Sequence, residues 1–481
     1  MPPVILGGLA RIFGSLERAF VAADCIFPPL LLLLFYSLAG VSDVRLRLLV
    51  AWSSLIIPFG LLNSFWLGDD ALVAPLEITR TPQPELSFLI LLSAAALLSF
   101  AIKKRVWWLW AIGAGVASAA VVYSYYFYAV AWDIALVCAV LLGLLWRRRL
   151  LWLSALTALV TTVVLSVPYA LAARAGAGQG GQTDLLVRMG VFTHRPSIPA
   201  LIVALLLSLA AWRFARHLPP VPFILSLLVL GALCGMNVQI VSGYETQPWH
   251  FWKRLALPVL FFLLAGCLAR FVERRVVNVR APAMALLIIL IVSTAARLCV
   301  AGIRTAPYQR ASSPDPSLLV WIRRNLAPDQ VIGTTNPELI LLIPALTSEY
   351  TYVPSGLRSL TSRPEIVDRY YEMACILGWP SAQLASAAAI PSHLDHSTEV
   401  LHTLGLSYTG DPTAYSQFVN GYQAKYALCS APRYRLDFVV ASSGQEAQAI
   451  RRRFPDAHEL YHNEGYRLLD VRANRPSGRN Y

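Results

Sequence analysis

With 481 residues, 57% of them hydrophobic and only 14% charged, the chain falls well below the roughly one quarter of charged residues usual in soluble domains, which excludes an ordinary water-soluble protein. The net charge of +13 would point to nucleic acid in a soluble chain. Here many Lys and Arg stand in short tracts between apolar runs, where they fix helix orientation, so the expected partner is the lipid bilayer and not nucleic acid.

In chain order, residues 1–23 contain GGLARIFGSLERAF. Apolar residues at helical spacing, with Arg11, Glu17 and Arg18 between them, suit an external amphipathic segment lying on the bilayer surface. No basic region precedes it and no small-residue cleavage site follows the first long apolar run, so it does not read as a removable signal. Apolar runs then fall near 24–41, 48–67, 87–102, 106–124, 129–146, 150–172, 197–212, 219–241, 255–272 and 281–301. Most are long enough to cross a hydrocarbon core of about 30 Å, the longer ones with tilt and the shortest with their ends short of the full thickness. They predict an α-helical polytopic membrane domain over 24–303 with about ten transmembrane helices.

One alternate set of connections holds Arg45, Arg47, Lys103, Lys104, Arg105, Arg147, Arg148, Arg149, Arg213, Arg216, Arg270, Arg274, Arg275 and Arg280. The other holds only Arg80, Arg174, Arg188, Arg195, Lys253 and Arg254. Basic residues concentrate on the cytoplasmic side, which predicts a multi-pass protein of the cytoplasmic (inner) membrane with both chain ends outside.

From about Arg304 charge and turn residues return. SLLVWIRRNL reads as a helix, QVIGTT as a strand, ELILLIPAL as a helix and EYTYVP as extended; later RLDFVVAS reads as a strand, GQEAQAIRRRF as a helix and GYRLLDV as a final strand. Helical and alternating patterns in succession predict an extracytoplasmic α/β domain over 304–481, with 365–425 mostly helix and loop. Of seven cysteines only Cys375 and Cys429 fall there. An oxidising compartment predicts a disulfide between them, against the alternative of two separate buried thiols. No CxxC or HExxH occurs, so no metal site is expected and the cofactor stays unknown.

The connections assigned to the outside are polar. LGDDALVAPLEITRTPQPEL supplies Asp69 and Asp70; VRMGVFTHRPS supplies His194 and Arg195; SGYETQPWHFWKR supplies Glu245, His250, Lys253 and Arg254. A carboxylate can activate an acceptor hydroxyl and an Arg can clamp a phosphate leaving group. Asp69 and Asp70 are therefore candidate catalytic residues, and the six others candidate substrate-binding residues, for glycosyl transfer from a lipid-phosphate donor. Asp69 and Asp70 also fit a solvated loop with a helix cap, and Arg254 beside His250 also fits a snorkelling cation beside a satisfied histidine. In YSYYFYAVAWD the tyrosines read as an interfacial belt. The three polar connections are expected to gather around one outward-opening cavity.

The layout resembles the bacterial polytopic glycosyltransferases of the GT-C superfamily, through DCIFPPLLLLLFYSL, PLEITRTPQPELSF, GYETQPWHFWKRLALP, LLVWIRRNLAPDQVIGTT, DFVVAS and GYRLLDV. The resemblance is one of pattern over most of the chain. It implies transfer of a sugar from a polyprenyl-phosphate carrier to a cell-envelope acceptor on the outer face, by an acidic residue in the first external loop. Here the N-terminal helix and that acidic loop have no counterpart, so three readings stand side by side: Asp69 or Asp70 substitutes, the N-terminus is incomplete, or the protein is not catalytic. Two alternatives stay open: an O-antigen ligase- or polymerase-like enzyme relying on external Arg and His, and a non-catalytic envelope protein presenting its soluble domain.

Overall fold

In a computed structural model the chain is mostly helical, with a small sheet near its C-terminal end. The structure describes residues 2–58, 85–177, 190–214, 218–246, 249–274, 280–309, 314–356, 359, 361–389, 400–404, 406, 412–426 and 432–474. It divides into two compact units, one of residues 1–174 and 190–305, the other containing 306–481.

The first unit opens on α1 (Pro2–Phe13) and α2 (Leu16–Leu38). Ser15 caps α2 by accepting from the Arg18 amide at 3.2 Å, so this helix takes in Arg18 and much of the segment expected to lie on the surface. On α1, Leu6 is buried with Ala23, Phe27 and Leu86, while Ile12 stays exposed. After α3 (Val44–Ile57), capped by Asp43, come α4 (Glu85–Ala101), α5 (Trp107–Val122), α6 (Tyr126–Leu145) and α7 (Arg149–Ala177). Strand β1 (Gly190–Phe192), α8 (Ile198–Phe214), α9 (Pro220–Gly235), β2 (Tyr244–Thr246), α10 (Leu257–Arg274) and α11 (Arg280–Gln309) complete it.

Among the described residues, five stretches are long and apolar enough to cross a membrane: Arg18–Leu38, Tyr126–Leu145, Arg149–Ala175, Pro220–Ser242 and Trp252–Arg274. About ten were expected; Leu86–Ala101, Trp107–Val122 and Met284–Ala296 are apolar helices of shorter length. Exposed Val164 on α7 and Ile289 on α11 belong to an apolar surface of the kind that hydrocarbon covers. Inside, small residues let backbones touch: a Cβ built at Gly231 of α9 would stand 2.1 Å from the Ala131 carbonyl oxygen of α6. Between α5 and α6 the Trp132 indole N–H donates to the buried Ser118 hydroxyl at 2.5 Å. At the turn between α2 and α3, the Glu273 carboxylate accepts from the Ser42 and Asp43 amides at 2.9 and 2.8 Å and from the Ser42 hydroxyl.

The second unit contains α12 (Pro314–Asn325), β3 (Val331–Gly333), α13 (Pro337–Leu346), β4 (Tyr350–Thr351), α14 (Arg363–Ile376), α15 (Ser381–Ala389) and α16 (Pro412–Tyr426). It ends with β5 (Phe438–Ala441), α17 (Gly444–Arg453), β6 (His458–His462) and β7 (Arg467–Asp470). The sheet runs β4-β3-β5-β7-β6, with β3 parallel to β4 and β5, and β7 antiparallel to β5 and β6. Alternation along β5 serves two cores. Phe438 and Val440 pack with Leu318, Ile322, Leu339 and Ile343 of α12 and α13; Val439 and Ala441 pack with Tyr370, Tyr422 and Ile450 of α14, α16 and α17. Cys375 on α14 is disulfide-bonded, whereas Cys25, Cys138, Cys234, Cys267 and Cys299 are free. Its expected partner, Cys429, lies outside the described residues.

At the end of β7, burial pushes the Asp470 carboxyl up, but hydrogen bonds from the Arg472 guanidinium and amide, together with its charge, outweigh burial and hold the group below the ordinary carboxylate range. A depressed carboxyl contributes stability above its unfolded pKa of about 3.9 and loses that contribution as pH falls through the folded value. Arg472→Gln should therefore cost about 1 to 2 kcal/mol at neutral pH, given that Arg472 is half-exposed. The deficit should vanish in strong acid. Hydrogen exchange of peptides covering β5 to β7 in the full chain, compared at neutral and low pH, reads this directly; a deficit that persists in acid would assign the effect to packing.

Candidate functional site

Pro258 stands in the first turn of α10 and has no amide hydrogen. In a regular helix that hydrogen would serve the carbonyl of Arg254, four residues earlier. The chain widens instead: Trp252–Ala256 is a π-helical turn, in which the Leu257 amide reaches the Trp252 carbonyl. Such turns recur at functional sites. The Tyr128 hydroxyl, from α6, donates to the Arg254 carbonyl at 2.9 Å.

The Arg254 side chain meets the same end of α6. Its Nη1 donates to the Tyr125 hydroxyl at 2.8 Å, and that oxygen lies 2.8 Å from Nδ1 of His250. Tyr125 and His250 rings stack at 6.1 Å with 19° between planes, and Phe127 meets the imidazole edge-on at 4.4 Å. Because the phenol oxygen accepts from Arg254, its own proton can go to Nδ1, leaving the imidazole hydrogen on Nε2; in the other tautomer Nδ1–H donates to the oxygen. In both states a cation, a phenol and an imidazole are joined through one atom. Lys253 shares the π-helical turn and is half-buried. A planar guanidinium fork beside an imidazole suits phosphate oxygens.

The tyrosine cluster is corrected by these contacts. Tyr123 and Tyr126 are exposed as an interfacial belt requires, but Tyr125 and Tyr128 are buried and bonded into the helix bundle. Aromatic content identified the segment, but its division depends on a contact between positions far apart in sequence.

Nearby, β1 and β2 pair antiparallel, placing Glu245 opposite Val191. The Ser197 amide donates to Asn237 Oδ1 at 2.7 Å, and Gln239 Nε2 donates to the Arg195 carbonyl at 3.1 Å. His194 Nδ1 lies 3.2 Å from the Ile240 carbonyl. Gly243 has φ of 71°, a backbone conformation that favours glycine, and a Cβ there would stand 3.0 Å from the exposed His194 ring. Two of the three polar connections are thus fastened together, with exposed His194 and Arg195 at their junction. Asp69 and Asp70, from the third, lie outside the described residues.

Sequence reading passed over one carboxylate. Asp133, within α6, has a buried Oδ1 with no hydrogen-bond partner among the described residues; ionisable groups inside membrane helices are candidates for function. Among the described residues, no group of three or more His, Cys, Asp or Glu is placed to hold a metal ion. No family model matches the chain, and no curated protein matches it either.

If Pro258 creates the need that Tyr128 meets, the two residues are coupled. Tyr128→Phe should cost about 1 to 3 kcal/mol, the usual cost of a buried group left unpaired. In Pro258→Ala, which restores the amide, the same Tyr128→Phe change should cost clearly less. Thermal unfolding of the four proteins in detergent forms the cycle; equal costs in both backgrounds would uncouple them.

Proposed function

We propose that the membrane unit is a glycosyltransferase-like enzyme that binds a polyprenyl-phosphate sugar through Arg254 and His250 and transfers the sugar to a cell-envelope acceptor on the outer face of the inner membrane. The observation that carries this reading is the Arg254–Tyr125–His250 cluster at the start of an apolar helix. There water gives way to hydrocarbon, the depth at which a carrier phosphate must sit while its tail stays in lipid. In this reading ten helices cross the membrane, the basic connections face the cytoplasm, and residues 304–481 lie outside. Asp69, Asp70 or Asp133 would supply the carboxylate.

A second reading is an O-antigen ligase-like transfer that relies on Arg and His without a carboxylate. It is favoured by the composition of the described cluster, in which cation, phenol and imidazole are bonded together.

Arg254→Lys keeps the charge but loses the fork, so it should weaken binding of a polyprenyl-phosphate sugar to the purified protein, and Arg254→Ala more so. One charge-assisted contact corresponds to about 1.5 to 3 kcal/mol, or roughly tenfold to more than a hundredfold in affinity. Three indistinguishable affinities would return Arg254 to a structural membrane-edge cation. Transfer abolished by Asp69→Asn with Asp70→Asn, or by Asp133→Asn, would select the carboxylate mechanism; transfer intact in all of them would select the ligase-like one.

Orientation has its own test. Alkaline phosphatase fused after Tyr481 should be active and a fluorescent protein fused there dark. The reverse pattern would put the second unit in the cytoplasm and the Arg254 cluster on the wrong face.

A further inference from the structure

At the other end of α6 the first unit holds a cavity of about 370 Å³ whose lining includes Ile102, Arg148, Arg149, Leu151, Pro220 and Phe223. We propose that it is a binding site for the phosphate headgroup of an anionic glycerophospholipid. The inference rests on the reading of this unit as membrane-embedded, and is independent of the sugar-donor site.

The cavity joins the end of α4, the start of α7 and the start of α9. Its walls are apolar except for two arginines. Arg148 is seated over the Trp146 ring, its guanidinium carbon 5.8 Å from the centroid, and Trp146 packs on Phe223 of the lining at 5.9 Å. The turn that presents these cations is sharply bent: Arg147 adopts φ of 55°, and the Arg148 amide reaches back to the Gly143 carbonyl at 2.8 Å. Exposed Leu144 and Leu145 of α6 and Leu150 of α7 adjoin the turn.

This combination selects a ligand. Two guanidinium groups match a phosphodiester, whose oxygens accept paired hydrogen bonds. An apolar floor and exposed leucines match the glycerol and acyl chains attached to that phosphate, which a free anion lacks. Basic pockets between membrane helices on the cytoplasmic side are a recognised setting for anionic headgroups. By the charge distribution this is the cytoplasmic end, so the lipid would come from the inner leaflet.

The test uses the full chain in nanodiscs of phosphatidylcholine alone or mixed with phosphatidylglycerol. Thermal stability and the lipids retained in native mass spectrometry are the readouts. Phosphatidylglycerol should raise the unfolding temperature and remain bound. Arg148→Gln with Arg149→Gln should weaken retention by roughly tenfold or more, the loss of charge-assisted contacts, while Arg45→Gln with Arg274→Gln, on the same basic end but outside the cavity, should retain the lipid. Should the glutamine variant fail to fold, Arg148→Lys with Arg149→Lys takes its place, and weakened retention is again expected. Equal behaviour of the two lipid mixtures, or equal loss in the Arg45 and Arg274 variant, would overturn the site in favour of general surface charge. Inorganic phosphate alone reproducing the stabilisation would overturn the lipid in favour of a free anion. None of these outcomes depends on binding of a polyprenyl-phosphate sugar.

Discussion

One missing hydrogen organises the candidate site. Pro258 cannot donate to the Arg254 carbonyl, so the helix widens at Trp252–Ala256 and a tyrosine from α6 supplies the bond. A part-buried carbonyl without its helical donor gains from another one, and the Tyr128 hydroxyl provides it where the π-helical turn meets the start of α6. The same approach brings Tyr125 within reach of both the Arg254 guanidinium and the His250 ring. A long cationic side chain ordinarily samples many directions; here the backbone and the side chain of Arg254 are each held by a different tyrosine.

The second unit follows a different physics. Its central strand β5 is buried at all four positions and divides its side chains between two helical layers. Polar groups collect at strand ends, where Asp437, fully buried, accepts from the Val331 amide at 2.9 Å and pairs with Arg435, also at 2.9 Å. In the first unit the Tyr128 hydroxyl serves a backbone carbonyl ahead of a proline, whereas here Asp437 joins the starts of two neighbouring strands.

Much of the fold was legible because its signals are local. Apolar runs mark the helices, and DFVVAS and GYRLLDV carry strands where they were expected, whereas α2 begins after Ser15, ahead of the apolar run that starts near residue 24. Strand β6, His458–His462, was missed because an edge strand that is half-exposed along its length has no apolar alternation to detect. The site was less legible. His250 and Arg254 were paired by helical spacing, yet what joins them is the hydroxyl of Tyr125, 125 positions from His250 along the chain; no periodicity reaches that far. Pro258 was visible throughout, and its missing donor was the available clue that the turn before it would not be a regular helix.

The close approach at Gly231 bears on how the membrane unit can deform. Where a glycine admits the neighbouring backbone, as at Ala131, two helices have no layer of side chains between them to slide or repack. α6 and α9 are therefore held close from Ala131, in the second turn of α6, which over its 20 residues is about 30 Å long. A residue larger than glycine at position 231 would force the two backbones apart, and α6, which runs between Tyr125 and Trp146, would lose its close contact with α9.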